Sequence, residues 1–249
     1  MKINLSNIKK RIPWPIKKYL GPIYHKWDIK IDKEIIIFLK NYYNLSEKEV
    51  LRLLRSGGQL SADFWFCSNP RTGLETVKFY EDNPFYAFNL IFWHGTRYQR
   101  NLRDRFIKLA KGKVLDYGGG VGDLCLKIRK NGLSVDYADL QGKMFDFASK
   151  FFKENNLYIN MINLSKNKIS GKYDTIFCVD VIEHVVNPKD TLKELVSHLN
   201  TNGQLIITAL ESNISNEAPM HFEIKFNPEE YLNLLGIKKL KEPFLWIKI

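Results

Sequence analysis

A glycine-dense turn between an apolar run and a helical pattern is the feature that most constrains how this chain can fold. Residues 114–125 read Val-Leu-Asp-Tyr-Gly-Gly-Gly-Val-Gly-Asp-Leu-Cys. The apolar residues before the turn predict a strand, and those after it predict the start of a helix. Glycine permits positive φ and a close approach of the backbone to a ligand, and a helix N-terminus carries partial positive charge. The segment therefore predicts a strand–turn–helix unit that binds a ligand.

The spacing of the glycines decides between ligand classes. A dinucleotide fingerprint needs G-x-G-x-x-G, but Asp123 or Cys125 stands where the third glycine belongs. A phosphate-binding loop of the Walker type needs Gly-Lys-Ser/Thr after the turn, which is also absent. What remains is the pattern D-x-G-x-G-x-G, formed by Asp116, Gly118, Gly120 and Gly122.

Strand and helix patterns alternate through the rest of the chain. This alternation predicts an α/β fold with a parallel, doubly wound sheet, which binds ligands beyond the carboxyl ends of its strands. Asp116, Asp139, Asn163 and Asp180 all follow or end predicted strands, so they are expected at that edge. We expect strands at 133–139, 157–164, 173–180 and 204–210, helices at 123–131, 144–155, 189–199 and 228–235, and a final β-hairpin at 237–241 and 244–249.

The glycine pattern resembles motif I of the class I S-adenosylmethionine-dependent methyltransferases. The tract Val181 to Pro188, with Glu183-His184 inside it, resembles the signature after strand four of the small-molecule enzymes, and Asn202-Gly203 resembles the turn before their strand five. The resemblance covers about residues 93–249. It implies a Rossmann-like sheet of seven strands that ends in an antiparallel hairpin, with S-adenosylmethionine as cofactor.

The resemblance also implies roles for particular residues. Asp116 and the glycine turn would hold the methionine part of the cofactor. An acidic residue about 20 positions after such a turn suits hydrogen bonding to ribose hydroxyls, which favours Asp139. The other expected cofactor contacts are Leu140, Asn163 and Leu164 near the adenine, Asp180 after strand four, and Tyr98, or Arg97 beside it, near the carboxylate.

Two histidines are candidate catalytic bases. If the acceptor group is a hydroxyl, a base must remove its proton. His221 follows strand five on a loop at the carboxyl edge, and His184 lies in the tract after strand four; His94 is a third, weaker option. The three cysteines show no paired spacing, so no metal site and no disulfide framework are predicted.

The region before motif I is predicted to be an accessory element. We expect a basic helical region at 1–58, with helices at 31–43 and from a capping box at Ser46 to Gly57-Gly58, an aromatic lid at 59–96 and the methyltransferase domain at 97–249. Aromatic side chains are dense in the lid, which suits an apolar or planar acceptor, and Arg71 is a candidate anchor for a substrate anion. The aromatic residues from the lid to the start of the next domain are Phe64, Trp65, Phe66, Phe79, Tyr80, Phe85, Tyr86, Phe88, Phe92, Trp93 and Tyr98.

Charge and composition bear on partners and location. The net charge is +11, and 13 Lys and Arg against 5 Asp and Glu lie in residues 1–58, with 7 against 1 in residues 97–113. A basic surface of this kind could attract nucleic acid, an anionic membrane or a phosphorylated substrate. The alternative is that its lysines are solvated and bind no partner. The segment 11–22 mixes basic and aromatic residues, but its three prolines argue against one amphipathic helix, so membrane contact is not predicted. Unpaired cysteines favour a reducing, cytoplasmic location.

The leading hypothesis is a small-molecule methyltransferase, acting on oxygen. Nucleic acid amino-methyltransferases carry Asn/Asp-Pro-Pro-aromatic after strand four, where this chain has Asp180-Val-Ile-Glu183, so a nucleic-acid partner is not favoured. An enzyme of similar fold acting on RNA or protein is the alternative that the basic N-terminal half supports. A non-catalytic binding module is the alternative from another class. The sequence leaves the acceptor open among sugars, lipid-linked intermediates, polyketide-like aromatics and amines, and leaves the oligomeric state open.

Overall fold

One sheet of seven strands organises the part of the chain that the structure, a computed structural model, describes, residues 28–210 and 219–249. Its order is β3-β2-β1-β4-β5-β7-β6. The first five strands along the chain pair in parallel, and β7 pairs antiparallel with both β5 and β6. The strands are β1 Lys113–Tyr117, β2 Ser134–Asp139, β3 Asn160–Asn163, β4 Tyr173–Cys178, β5 Leu199–Ile207, β6 Ile237–Lys239 and β7 Leu245–Lys248.

Helices cover both faces of this sheet, as the alternating pattern predicts. A short 3-10 turn, Ile182–His184, follows β4. The doubly wound α/β fold with a terminal antiparallel hairpin is thereby confirmed. The helices are α1 Lys33–Tyr43, α2 Glu47–Ser68, α3 Gly73–Asp82, α4 Tyr86–His94, α5 Arg97–Leu109, α6 Asp123–Lys130, α7 Lys143–Glu154, α8 Pro188–Ser197 and α9 Pro228–Leu234.

The strands bury apolar side chains on both faces because helices cover both. Val114 and Leu115, adjacent in β1, belong to two different buried clusters. The first cluster joins the sheet to helices α1, α2 and α4 to α7, and the second joins it to α8 and α9. Cys125 and Cys178 are fully buried in these clusters, as expected for small apolar side chains.

Helix α2 corrects one prediction. Its capping box is present: Ser46 Oγ accepts from the Glu49 amide and the Glu49 carboxylate accepts from the Ser46 amide. The predicted end at Gly57-Gly58 is wrong, because the helix continues to Ser68. A Cβ on Gly57 would lie 2.7 Å from the amide nitrogen of Asn89 in α4, so this glycine permits close packing of two helices. The expected boundary between residues 58 and 59 therefore falls inside a continuous helix.

Strand β5 corrects a second prediction. The turn expected at Asn202-Gly203 lies inside the strand, which begins at Leu199 instead of 204. The register with β4 shifts between Tyr173 and Thr175, which pair with Leu199 and Gln204. A bulge of this kind accommodates the turn residues without ending the strand.

The segment 11–22 and most of the loop before His221 lie outside the described residues. Within 28–210 and 219–249, none of the helices combines the length and the apolar character needed to cross a bilayer.

Candidate active site

The carboxyl ends of the parallel strands open into a cleft of about 2010 Å³. Three carboxylates on the sheet side, those of Asp116, Asp139 and Asp180, line it. Helices α3 and α4 also line the cleft, and Tyr80 and Trp93 are among their lining side chains. The cleft thus lies where a doubly wound sheet is expected to bind its ligand.

Part of the aromatic set predicted as a lid lines this cleft, and part builds the core. The Phe79 and Phe88 side chains are only 2% exposed and belong to the interior. The set is therefore divided between the cleft and the core, and its role as a lid stays a prediction. The members of this set that line the cleft are Tyr80, Tyr86, Phe92, Trp93 and Tyr98.

The glycine turn has the backbone that its sequence requires. Gly118, Gly120 and Gly122 have φ of 70°, 52° and 77°, which is the left-handed region that glycine adopts most readily. A Cβ on Gly118 would lie 2.5 Å from Val181 Cγ2. Gly118 and Gly120 line the cleft. Gly122 instead caps α6, and a Cβ there would meet the Phe152 ring at 2.5 Å.

Asp139 is tied to the glycine turn. Its Oδ2 accepts from the Gly120 amide at 2.7 Å and from the Tyr137 hydroxyl at 3.3 Å, and its Oδ1 accepts from the Leu140 amide at 2.7 Å. Burial raises the pKa of Asp139, and these hydrogen bonds oppose that rise. The predicted ribose carboxylate therefore also holds the turn in place.

Asp116 is an almost completely buried acid at the end of β1. Its side chain is 3% exposed, and its Oδ2 accepts from the Cys125 thiol at 3.2 Å. Burial raises the pKa of Asp116 to about 7. A cationic group in the cleft would favour the ionised form of this carboxyl, so the site fits the ammonium of S-adenosylmethionine.

The residues predicted near the adenine divide into two groups. Leu140 and Leu164 line the cleft. The Asn163 side chain is engaged elsewhere: its amide donates to Gln141 Oε1 at 2.6 Å, and its carbonyl accepts from the Ser165 amide at 3.0 Å.

Asp180 anchors helices to the sheet edge as well as lining the cleft. Its Oδ2 accepts from Trp93 Nε1 at 3.3 Å and from Gln99 Nε2 at 3.0 Å. Its Oδ1 accepts from the Thr208 hydroxyl at 2.7 Å.

Tyr98, the predicted contact of the cofactor's carboxylate, lines the cleft, and it is 52% exposed.

The two candidate bases lie next to each other. The ring centroids of His184 and His221 are 4.7 Å apart, and both side chains line the cleft. Burial, followed by the neighbouring His221, lowers the pKa of His184 to about 3, so its imidazole is neutral at pH 7. The neutral ring keeps a lone pair, and its low pKa makes it a weaker base in the empty cleft than a free imidazole.

Glu183 joins this pair, a grouping that the sequence did not predict. Its carboxyl is buried, and its Oε2 has no hydrogen-bond partner among the described residues. Burial and the nearby Asp180 raise the pKa of Glu183 to about 8. One donor atom from each of Glu183, His184 and His221 lies within 4.8 Å of the others, a spacing that a metal ion could use. The sequence predicted no metal ligands, because residues 183 and 221 are brought together only by the fold.

An ionic network that lines the cleft was also not predicted. Arg103, 5% exposed, pairs with Asp123 at 3.1 Å and donates to Gln99. His94, the third candidate base, lies 3.0 Å from Asp123, and burial lowers the pKa of His94.

Arg71, the predicted anchor for a substrate anion, is not among the residues that line the cleft.

Comparisons with known proteins agree with this architecture. Residues 92–243 match the family model of a methyltransferase domain. The ubiquinone biosynthesis O-methyltransferase of Rickettsia akari is 33% identical over 104 residues, which is 41% of this chain and 41% of that protein. The protein of the same name from Rickettsia felis is 30% identical over 104 residues, or 41% and 43% of the two chains. The match thus spans about two fifths of the length of these curated relatives.

Solved structures show the same fold. Magnesium protoporphyrin IX methyltransferase from Synechocystis PCC 6803 matches with a TM-score of 0.50 at 18% identity, covering 66% of this chain and 84% of that one. The [4+2]-cyclase SpnF matches with a TM-score of 0.50 at 16% identity, covering 59% and 61%. The family match covers most of the chain and begins just before the helix that precedes the glycine turn. The chain therefore belongs to the methyltransferase domain family, and the resemblance of its motifs to the class I S-adenosylmethionine-dependent methyltransferases is confirmed.

Proposed function

We propose that this chain transfers the methyl group of S-adenosylmethionine to a hydroxyl group of a small-molecule acceptor. The observation that carries the proposal is the neighbouring pair His184 and His221, 4.7 Å apart in the cleft that also contains Asp139 and the glycine turn. One cleft thus offers a cofactor side and a group that can accept a proton.

The cofactor side is formed by buried acids and a backbone turn. Asp116 would hold the ammonium group, Asp139 the ribose hydroxyls, and Leu140 with Leu164 the adenine. The cofactor, when bound, supplies an electrophilic methyl group on a sulfonium. The protein has to position the acceptor in line with that group and to exclude water.

On the acceptor side, His221 and His184 are the proposed bases. The acceptor hydroxyl gives its proton to an imidazole nitrogen, so that the oxygen can form the bond to the methyl carbon. Burial keeps His184 neutral, and Glu183 Oε2 is buried without a hydrogen-bond partner among the described residues. The curated relatives are named as O-methyltransferases, which supports oxygen as the acceptor atom.

The basic run at 97–113 offers little support for a nucleic-acid substrate. Arg97 and Arg100 share the one carboxylate of Asp28, at 3.6 and 3.0 Å, and Arg105 pairs with Glu242. Charges neutralised within the protein contribute less to phosphate binding. A small acceptor beside the aromatic side chains of the cleft fits these pairings better than a nucleic acid does. We also propose that the methyltransferase domain spans 97–249 and that the region before it is an accessory element. Free thiols at all three cysteines support a cytoplasmic location.

Cofactor titration and product analysis test the proposal. Isothermal titration should show S-adenosylmethionine binding, and labelled cofactor should transfer its methyl group to a hydroxylated compound that mass spectrometry identifies. His221→Asn and His184→Asn should lower turnover and leave cofactor affinity within about two-fold of wild type. Absence of cofactor binding at millimolar concentration would refute the enzymatic function. If the methyl label is found only on RNA or protein, the acceptor is a macromolecule and the proposal of a small-molecule acceptor is wrong.

A further inference from the structure

The hydroxyl group of Tyr80 joins the two segments that carry the candidate bases. Its oxygen lies 2.8 Å from His184 Nδ1 and 3.2 Å from the carbonyl oxygen of Met220, the residue before His221. Tyr80 belongs to α3 in the accessory region, 104 residues from His184 along the chain. One side chain of the helical wall is thus in contact with both base segments.

The surroundings of Tyr80 hold its ring in one place. Its ring packs edge-on against Phe79, Tyr86 and His184, with centroids 5.0, 5.6 and 5.6 Å apart. Burial raises the pKa of Tyr80 well above 10, so the phenol keeps its proton throughout the physiological pH range. The hydroxyl is therefore a permanent donor of one hydrogen bond and an acceptor of another.

The two hydrogen bonds of the Tyr80 hydroxyl require one tautomer of His184. The Met220 carbonyl can only accept, so the Tyr80 hydroxyl donates to it. The phenolic oxygen then accepts from His184, which requires the proton of the neutral imidazole to be on Nδ1. Nε2 consequently carries the lone pair. It lies 3.9 Å from Glu183 Oε1, which is too long for a direct hydrogen bond.

We propose that Tyr80 is a positioning residue that fixes the orientation and the Nδ1–H tautomer of His184, so that Nε2 faces the acceptor as the base. The catalytic part of this inference rests on the proposed function. The acceptor's proton moves to Nε2, the electron pair of its O–H bond stays on oxygen, and that oxygen forms the bond to methyl carbon as the carbon–sulfur bond breaks. The tautomer itself is a property of the protein without substrate.

The variant Tyr80→Phe removes the hydroxyl and keeps the ring. Nitrogen-15 NMR of imidazole-labelled protein should show the wild-type His184 with a protonated Nδ1 and an unprotonated Nε2. In Tyr80→Phe the two nitrogens should exchange roles or average. Turnover should fall by about 10-fold or more, with little change in the affinity for S-adenosylmethionine, because base orientation affects the reacting state and not cofactor binding.

Tyr43→Phe is the matched control. Tyr43 is a partly buried tyrosine of α1 that is not among the residues lining the cleft, and it packs against the Phe88 ring at 4.9 Å. This variant should leave the His184 signals and turnover unchanged. If Tyr80→Phe is unstable, comparing its turnover with that of Tyr43→Phe at matched folded fraction separates folding from positioning.

The outcomes separate the inference from the proposed function. An unchanged His184 nitrogen pattern in Tyr80→Phe overturns the inference, whatever the enzyme does. A wild-type pattern with the proton on Nε2 overturns it too. The expected pattern without any methyl transfer would retain the positioning contact and reject the proposed function. A changed tautomer with undiminished turnover would reject the catalytic consequence.

Discussion

The amide of Gly120 donates to Asp139 Oδ2 at 2.7 Å. This hydrogen bond joins the glycine turn after β1 to the end of β2. The sequence resemblance assigns the methionine part of the cofactor to the turn and the ribose to Asp139. The same carboxylate accepts from the Leu140 amide, so it organises the local backbone before any ligand binds. Cofactor affinity and the stability of the turn are therefore expected to change together when Asp139 is altered.

Replacing Asp139 tests this coupling. Asp139→Ala should weaken S-adenosylmethionine binding by about 1–3 kcal/mol and also lower the melting temperature, because buried amides lose their acceptor. Asp139→Asn keeps one acceptor oxygen, so it should lose less cofactor affinity and less thermal stability than Asp139→Ala. Titration calorimetry and thermal unfolding measure the two effects, with Asp104→Ala, an exposed carboxylate of α5, as control. Unchanged affinity would remove Asp139 from the cofactor site.

Cofactor binding should release a proton from Asp116. Its pKa is about 7 in the free protein, because burial disfavours the charged form. An ammonium group beside it would lower that pKa, so the affinity for S-adenosylmethionine should increase as the pH rises from about 5 to about 7 and then level off. Calorimetry near pH 6 in two buffers of different ionisation enthalpy counts the released protons. Asp116→Asn should bind weakly without the proton release; equal release in this variant would assign the proton to another group.

Arg103 should be important for stability. Its side chain is buried in its pair with Asp123, and removing one partner of such a pair leaves the other charge uncompensated. Arg103→Met should reduce the free energy of unfolding by about 3 kcal/mol. Lys127→Met breaks an exposed pair with Asp104 and should change it by less than about 1 kcal/mol. Urea denaturation compares the two variants, and similar losses would contradict the distinction.

Two adjacent glycines of α2 should respond differently to alanine. A Cβ on Gly57 would lie 2.7 Å from the Asn89 backbone, whereas one on Gly58 would meet the Asn89 side-chain oxygen at 3.2 Å. Overpacking against backbone costs about 1–3 kcal/mol, and alanine gains about 1 kcal/mol of helix propensity over glycine. Gly57→Ala should therefore destabilise the protein, and Gly58→Ala should be neutral or stabilising. Chemical denaturation decides; stabilisation by both would show that α2 and α4 are not closely packed.

The order of strands and helices was predictable because it depends on local patterns. Apolar runs such as 176–178 are buried, and the glycines that need positive φ follow β1 where the motif places them. The wrong end of α2 came from the same kind of evidence. A glycine pair can end a helix or let another helix approach it, and only the position of α4 distinguishes the two.

The sequence by itself determined the doubly wound fold and the cofactor motifs at its carboxyl edge, because these follow from residues close together in the chain. Tertiary structure decided which side chains share the cleft. It placed Tyr80 against His184, brought Glu183 and His221 together, and turned the Asn163 amide toward Gln141. Such contacts join residues from different elements, and their distances depend on how helices pack on the sheet. No local pattern along the chain encodes them.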